Sequence, residues 1–153
     1  MSNTIHVFLS AILVICLDVS LGLSSEEFKS SLLNARKYCN ESQVDPATLA
    51  KIKQTDYIKD RDIITPQVTC FLDCILKKSG LVENDKLDEA GIAQVISQLG
   101  DNEEHGKVGV EALKKCIANK QMMSGKCNAG EYFKVCEHEY AQDLSFLSLI
   151  LKL

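Results

Sequence analysis

The residues of this chain with the clearest chemical potential are its cysteines. The sequence holds seven, of which one lies in an apolar run at the amino terminus. The other six are Cys39, Cys70, Cys74, Cys116, Cys127 and Cys136. Six thiols can form three disulfides, coordinate a metal ion or, if one stays unpaired beside a base, supply a nucleophile. The rest of the sequence indicates which of these chemistries applies.

The amino terminus is typical of a secretory signal peptide. Residues 7–17, VFLSAILVICL, form a short apolar run, and Ser20 and Gly22 are small residues placed as a signal-peptide cleavage site requires. The run is too short to cross a bilayer. We therefore expect residues 1–22 to be removed and residues 23–153 to form one secreted, extracellular domain. In that oxidising environment six cysteines are expected to form three disulfides.

Other cysteine chemistry fits the sequence less well. A zinc site would need paired motifs such as CxxC or HxxxH, which the sequence lacks. A cysteine–histidine nucleophile needs a free thiol, and an even set of six leaves none. A secreted phospholipase would need a catalytic His and Asp beside paired cysteines, and a calcium-binding glycine loop. The sequence has no Cys-Cys dipeptide, so it does not fit this class of enzyme. We therefore interpret His105 and His138 as solvated residues and expect no enzymatic activity, no cofactor and no metal.

Composition and charge narrow the partners and the architecture. The formal net charge is −4 and no basic stripe is present, which argues against a nucleic-acid partner. A hydrophobic content of 46% in 153 residues is enough for a single core. No segment predicts stable insertion in a membrane. These totals favour one small globular domain.

The spacing of apolar residues predicts an all-α domain of six helices. The only two prolines, Pro46 and Pro66, follow the capping residues Asp45 and Thr65, an arrangement that begins a helix. The predicted helices begin near Ser24, Asp45, Thr65, Leu87, Val110 and Asn128, where Ser24 and Asn128 are interpreted as N-caps with a Glu three residues later. Residues 101–106, DNEEHG, are interpreted as a polar link. Alternating strand patterns and Asn-Gly or Asp-Gly hairpin signals are absent.

The spacing of the six cysteines resembles that of a known family. The gaps between them are 30, 3, 41, 10 and 8 residues. Cys70 and Cys74 lie one helical turn apart, so a bond between them would close almost no loop, but the sequence alone leaves fifteen pairings. With a signal peptide and a helical domain, this pattern resembles the insect odorant-binding and pheromone-binding protein family (PBP/GOBP, six-cysteine type). The resemblance covers essentially the whole mature chain.

The resemblance implies both a covalent framework and a function. The implied bridges are Cys39–Cys74, Cys70–Cys127 and Cys116–Cys136. The implied fold is six helices around an internal apolar cavity, and the implied function is a secreted carrier of odorants, pheromones or other small hydrophobic molecules. A membrane chemoreceptor or a second copy of the chain would be a further partner.

The candidate ligand-binding residues are apolar side chains at helical spacing, each of which could equally belong to a solid core. They are Phe71, Ile75, Ile92, Val95, Ile96, Leu99, Leu113, Ile117, Phe133, Tyr140, Phe146 and Leu147. The hydroxyls of Tyr132, Tyr140 and Ser145 are candidates to orient a polar head group. Asn40 begins a glycosylation sequon.

The carboxyl terminus, residues 144–153 (LSFLSLILKL), is unusually apolar for a chain end. As a helix it would reach only about 15 Å, too short to span a membrane. Extended, it would reach roughly 33 Å. We expect it to fold back in extended form across the domain as a cavity wall or a lid. The resemblance implies a pH-dependent lid, hinged where His138 and Asp143 lie, and the alternative is static packing.

Two other classes of protein remain open at this point. A saposin-like protein that interacts with lipids or membranes is also helical with six cysteines, although its cysteine spacing differs. A secreted interaction or defence protein would have no ligand at all. Vesicle leakage would distinguish the saposin-like protein from a carrier, and a structure without a cavity would indicate the interaction protein.

Overall fold

The structure is a computed structural model that describes residues 25–39, 43–54, 63–99, 103–122, 125–140 and 146–153. The predicted signal peptide, residues 1–22, lies outside this part of the chain. So do the predicted cap Ser24, the sequon at Asn40 and the side chain of His105.

The described residues form seven helices and one short hairpin, so the prediction of an all-α fold is confirmed. In chain order these are α1 Ser25–Tyr38, α2 Pro46–Lys53, α3 Pro66–Lys78, β1 Val82–Glu83, β2 Lys86–Leu87, α4 Glu89–Leu99, α5 Glu103–Asn119, α6 Asn128–Tyr140 and α7 Phe146–Lys152. Apolar faces of these helices meet in one core. Within the described ranges, none of the helices has the length and hydrophobicity of a transmembrane span.

Both prolines begin helices, as predicted. The Asp45 side chain accepts a hydrogen bond of 2.8 Å from the Thr48 amide, and Pro46 follows at the first helical position of α2. The Thr65 hydroxyl accepts in the same way from the Val68 amide at the start of α3. Because these caps satisfy amide groups that have no partner inside the helix, they fix where α2 and α3 begin.

The Asp45 cap predicts a pH-dependent stability of α2. The amide and hydroxyl of Thr48 donate to the Asp45 carboxylate and lower its pKa below the ordinary value of 3.8. A lowered folded-state pKa stabilises the fold above the unfolded-state pKa, and this stabilisation is lost as pH falls through the folded-state value. Urea unfolding of Asp45→Asn, which keeps a capping oxygen but does not titrate, should lose less stability below pH 4 than the parent. Equal acid sensitivity would contradict this assignment.

Helix α3 ends in a turn that requires glycine. Gly80 has φ +80°, and its amide donates to the Lys77 carbonyl while the Leu81 amide donates to the Leu76 carbonyl. This pair of bonds is the Schellman motif, which satisfies carbonyl groups at a helix end. Gly80 therefore fixes where α3 ends.

A two-stranded hairpin follows α3, so the expectation of no hairpin was wrong. Val82 pairs with Leu87 and Glu83 with Lys86, antiparallel. The two turn residues, Asn84 and Asp85, have φ of 51° and 57°. Asn and Asp adopt this left-handed conformation more readily than other residues with a side chain, so Asn-Asp here takes the place of Asn-Gly.

Helix α5 begins at Glu103, so the interpretation of residues 101–106 as a polar link was wrong from Glu103 onward. The apolar period of this helix becomes visible only after its first turns. Gly106 is nevertheless buried, and a Cβ atom added there would lie 3.4 Å from the Cα of Ser97 in α4. A small residue at this position lets α4 and α5 approach closely.

Three disulfides connect the helices in the pairing that the resemblance implies. Cys39–Cys74 ties the end of α1 to α3, Cys70–Cys127 ties α3 to the turn before α6, and Cys116–Cys136 ties α5 to α6. Each such bridge typically stabilises a fold by about 2–4 kcal/mol. Helix α3 is therefore bonded to two other parts of the chain.

The start of α6 is capped from α3, so the interpretation of Asn128 as its N-cap was wrong. Asp73, a buried residue of α3, accepts hydrogen bonds from the amides of Ala129 and Gly130 at 2.8 and 3.3 Å. The Asn128 side chain instead accepts from Lys77 and donates to the hairpin residue Asp85. A carboxylate at a helix amino terminus is also favoured by the helix dipole.

The apolar carboxyl terminus forms a seventh helix, so the expectation of an extended tail was wrong. Helix α7 has the buried residues Phe146, Leu147, Ser148, Leu149, Ile150 and Leu151. It packs against α2 and α4, and its backbone groups pair within the helix. A buried segment must satisfy its peptide groups, which an extended strand with no neighbouring strand could not do.

Candidate functional site

A small apolar cleft lies where α4, α5, α6 and α7 meet. It is lined by Ile96, Gly109, Ala112, Leu113, Phe133, Cys136, Glu137 and Phe146, and its volume is about 30 Å³. We call this site the apolar cleft. Its lining is almost entirely carbon, with one carboxylate at its edge.

Helix α6 supplies three of the eight lining residues, as many as α5 does. Phe133, Cys136 and Glu137 lie three and four residues apart and therefore share one face of the helix. The Phe133 ring lies 5.0 Å from that of Phe146 in α7, tilted by 37°. The bridge from Cys136 to Cys116 holds this face against α5. The aromatic wall is thus attached to a cross-linked part of the fold on one side and to α7 on the other.

Helix α7 is held at both ends and at its middle by side-chain hydrogen bonds. The Glu137 carboxylate accepts from the Phe146 amide at its start. The Arg36 guanidinium of α1 donates to the Leu151 carbonyl at its end, 3.1 Å away. The Ser148 hydroxyl donates to the Ile52 carbonyl of α2 at 3.0 Å. An anion at the start and a cation at the end of a helix both complement its dipole.

Electrostatics at the end of α7 follow from the partial burial of Arg36. Burial lowers the pKa of its guanidinium, because desolvation disfavours the charged form. Arginine nevertheless stays protonated at every physiological pH, since its ordinary pKa is so high. The contact with Leu151 is therefore a charge-assisted hydrogen bond, and it stays charged throughout the physiological pH range.

Four of the twelve predicted ligand-binding residues line the apolar cleft: Ile96, Leu113, Phe133 and Phe146. Phe71, Ile75, Ile92, Val95 and Leu147 are buried in the core, and Leu99, Ile117 and Tyr140 pack against it. The structure therefore brings four of these side chains to one small space and distributes the rest through the core. The role of all twelve in ligand binding stays a prediction.

Sequence reasoning missed four lining residues: Cys136, which was predicted only as a disulfide residue, and Gly109, Ala112 and Glu137. Gly109 and Ala112 lie on the same face of α5 as Leu113, but small residues contribute little to an apolar pattern. Glu137 was passed over because a charged residue is ordinarily assigned to solvent. Its position four residues after Phe133 was the available signal, since that spacing places both on one face of a helix.

The predicted polar groups lie elsewhere. Tyr132 lines a different pocket, on another side of α6, and Tyr140 is half-buried beside the core. His138 is half-buried, while Asp143 and Ser145 lie outside the described residues. Among the described residues, Glu137 supplies the polar contact to the start of α7, instead of the predicted hinge residue His138.

Comparison with known proteins identifies a family. The model of the PBP/GOBP family matches residues 23–140 of the chain, which is more than half of its length. No curated protein and no solved structure gave a match. The matched range begins at the residue after the predicted cleavage site and includes all six paired cysteines, but it does not reach α7.

Proposed function

The chain belongs to the PBP/GOBP family, and from that premise we propose that it is a secreted carrier of small hydrophobic molecules and has no enzymatic activity. It takes up an apolar molecule, shields it from water at the apolar cleft and releases it elsewhere. The observation that supports this proposal is the convergence of apolar side chains from four helices on one opening. A ligand gains about 0.8 kcal/mol for each methylene that it buries there.

The size of the apolar cleft implies that ligand uptake is coupled to movement. Pockets for small molecules usually have volumes of about 300 Å³ or more, whereas the apolar cleft has about 30 Å³. One of its walls must therefore move outward. Of the two lining helices without a cysteine, α4 packs along α5, so we assign this movement to α7, which is held to the described residues by packing and hydrogen bonds.

The proposal is tested by filling the cleft. Ala112 is buried at the cleft, and Ala112→Leu places additional carbon where the ligand would lie. A fluorescent apolar reporter should bind the mature parent protein saturably at micromolar concentration, and this variant about tenfold more weakly. Ala118→Leu is the matched control, since Ala118 is exposed on the same helix and should leave affinity unchanged.

Three results would contradict this proposal. The first is the absence of saturable reporter binding by a folded parent protein. The second is equal affinity of the two alanine variants, which would place the ligand elsewhere. The third is leakage of lipid vesicles at the same protein concentration, which would favour the saposin-like alternative over the carrier.

A further inference from the structure

A second pocket lies at the corner where α5 ends and α6 begins. It is lined by Lys120, Gln121, Gly125, Lys126, Asn128, Glu131, Tyr132 and Val135, and it has a volume of about 310 Å³. We call it the corner pocket. The lining residues Glu131 and Val135 lie on a different side of α6 from the apolar cleft. The corner pocket is thus a separate space, and it reaches the size at which small molecules bind.

The corner pocket has an apolar floor with one hydroxyl. Tyr132 is 8% exposed, and Val135, which lines the same pocket, is 40% exposed. The Tyr132 hydroxyl has no hydrogen-bond partner among the residues that the structure describes. Burial raises the pKa of this phenol, so the hydroxyl keeps its proton and can donate a hydrogen bond.

The rim of the corner pocket carries an unbalanced positive charge. Lys120 pairs with Glu139 at 2.9 Å, and Glu131 pairs with Lys134 at 3.7 Å. Lys126 makes no ion pair or hydrogen bond within the described part of the chain. The rim therefore offers one unpaired ammonium group to an incoming anion, in the same pocket that the Tyr132 ring lines.

We infer that the corner pocket is a second binding site, for an amphipathic carboxylate such as a medium-chain fatty acid. The apolar chain would lie against the Tyr132 ring and Val135, and the carboxylate would accept from the Tyr132 hydroxyl and the Lys126 ammonium. A neutral molecule of the same length would use only the apolar floor and the hydroxyl. The site thus selects for negative charge, which the carbon-lined apolar cleft does not do.

The experiment is an NMR titration of the isotope-labelled mature domain with decanoate, compared with decanol. Decanoate should shift the amide signals of Gly125, Glu131 and Val135 and should bind more tightly than decanol. Lys126→Gln should weaken decanoate binding about fivefold, since an exposed ion pair is worth little more than that. Tyr132→Phe, which keeps the ring, should weaken it by a similar factor.

Matched controls make the outcome decisive. Lys114→Gln removes an exposed charge of α5 away from the pocket and should leave decanoate affinity unchanged. Equal effects of Lys114→Gln and Lys126→Gln, or equal binding of decanol and decanoate, would overturn the inference. The Ala112→Leu variant separates the two sites, because it should weaken the apolar reporter but not decanoate. Loss of decanoate binding in Ala112→Leu would assign the fatty acid to the apolar cleft and also overturn the inference.

Discussion

A domain that lacks residues 144–153 is expected to release a bound apolar reporter about tenfold faster than the intact domain does. The deletion removes the Phe146 ring from the apolar cleft, together with the other buried side chains of α7. Without that wall, ligand at the cleft would be open to water. Stopped-flow displacement of the reporter measures the rate, and far-UV circular dichroism checks that α1 to α6 remain folded.

Two milder variants keep α7 as a wall of the apolar cleft, and each removes one hydrogen bond that holds this helix in place. Ser148→Ala removes the hydrogen bond to the Ile52 carbonyl, and Arg36→Met removes the one to Leu151. Each should speed reporter release about fivefold while the helical content stays constant. If the deletion leaves affinity and its pH dependence unchanged, α7 is static packing and the lid implied by the resemblance is wrong.

Replacement of Gly130 by alanine is expected to lower the free energy of unfolding by about 3 kcal/mol. A Cβ atom at Gly130 would overlap the backbone carbonyl of Thr69 in α3. A flexible side chain could adopt another rotamer to relieve such an overlap, but a helical backbone carbonyl cannot. Because the adjacent Asp73 caps α6 at this crossing, any separation of the helices also lengthens its hydrogen bonds to Ala129 and Gly130. Urea denaturation of the oxidised domain measures the loss.

The matched control for this substitution is Gly106→Ala. It too adds one methyl group to a buried helical glycine, but the nearest atom, the Ser97 Cα, lies 3.4 Å away. Alanine also favours the helix over glycine by about 1 kcal/mol. We expect its free energy of unfolding to stay within about 1 kcal/mol of the parent value. If both variants lose the same free energy of unfolding, the close α3–α6 crossing does not explain the requirement for glycine at position 130.

Helix starts were predictable from sequence where the signal is local. Asp45 with Pro46 and Thr65 with Pro66 contain the whole cap within four residues, and both predictions were confirmed. The cap of α6 was not predictable in that way. Its acceptor, Asp73, lies more than fifty residues away in the sequence, and only the crossing of α3 and α6 brings it to Ala129.

The residues of the apolar cleft were likewise predictable only where the signal is local. Ile96, Leu113 and Phe133 follow the helical period and could be selected from sequence, but the period alone cannot separate a cleft wall from solid core. The conformation of α7 was missed for a related reason. Seven of ten residues in the segment 144–153 are large and apolar, so neither an alternating nor a helical pattern stands out.

The placement of the disulfides divides the molecule into two classes of helix. α1, α3, α5 and α6 contain or directly adjoin the paired cysteines, whereas α2, α4 and α7 contain none. Local opening of a protein occurs in cooperative units of unequal stability. We therefore expect amide hydrogen exchange to be fastest in α2 and α7, which pack on each other through Ser148 and Ile52. A carrier with this arrangement can admit its ligand through local unfolding of α2 and α7, while the disulfide-bonded helices keep their structure.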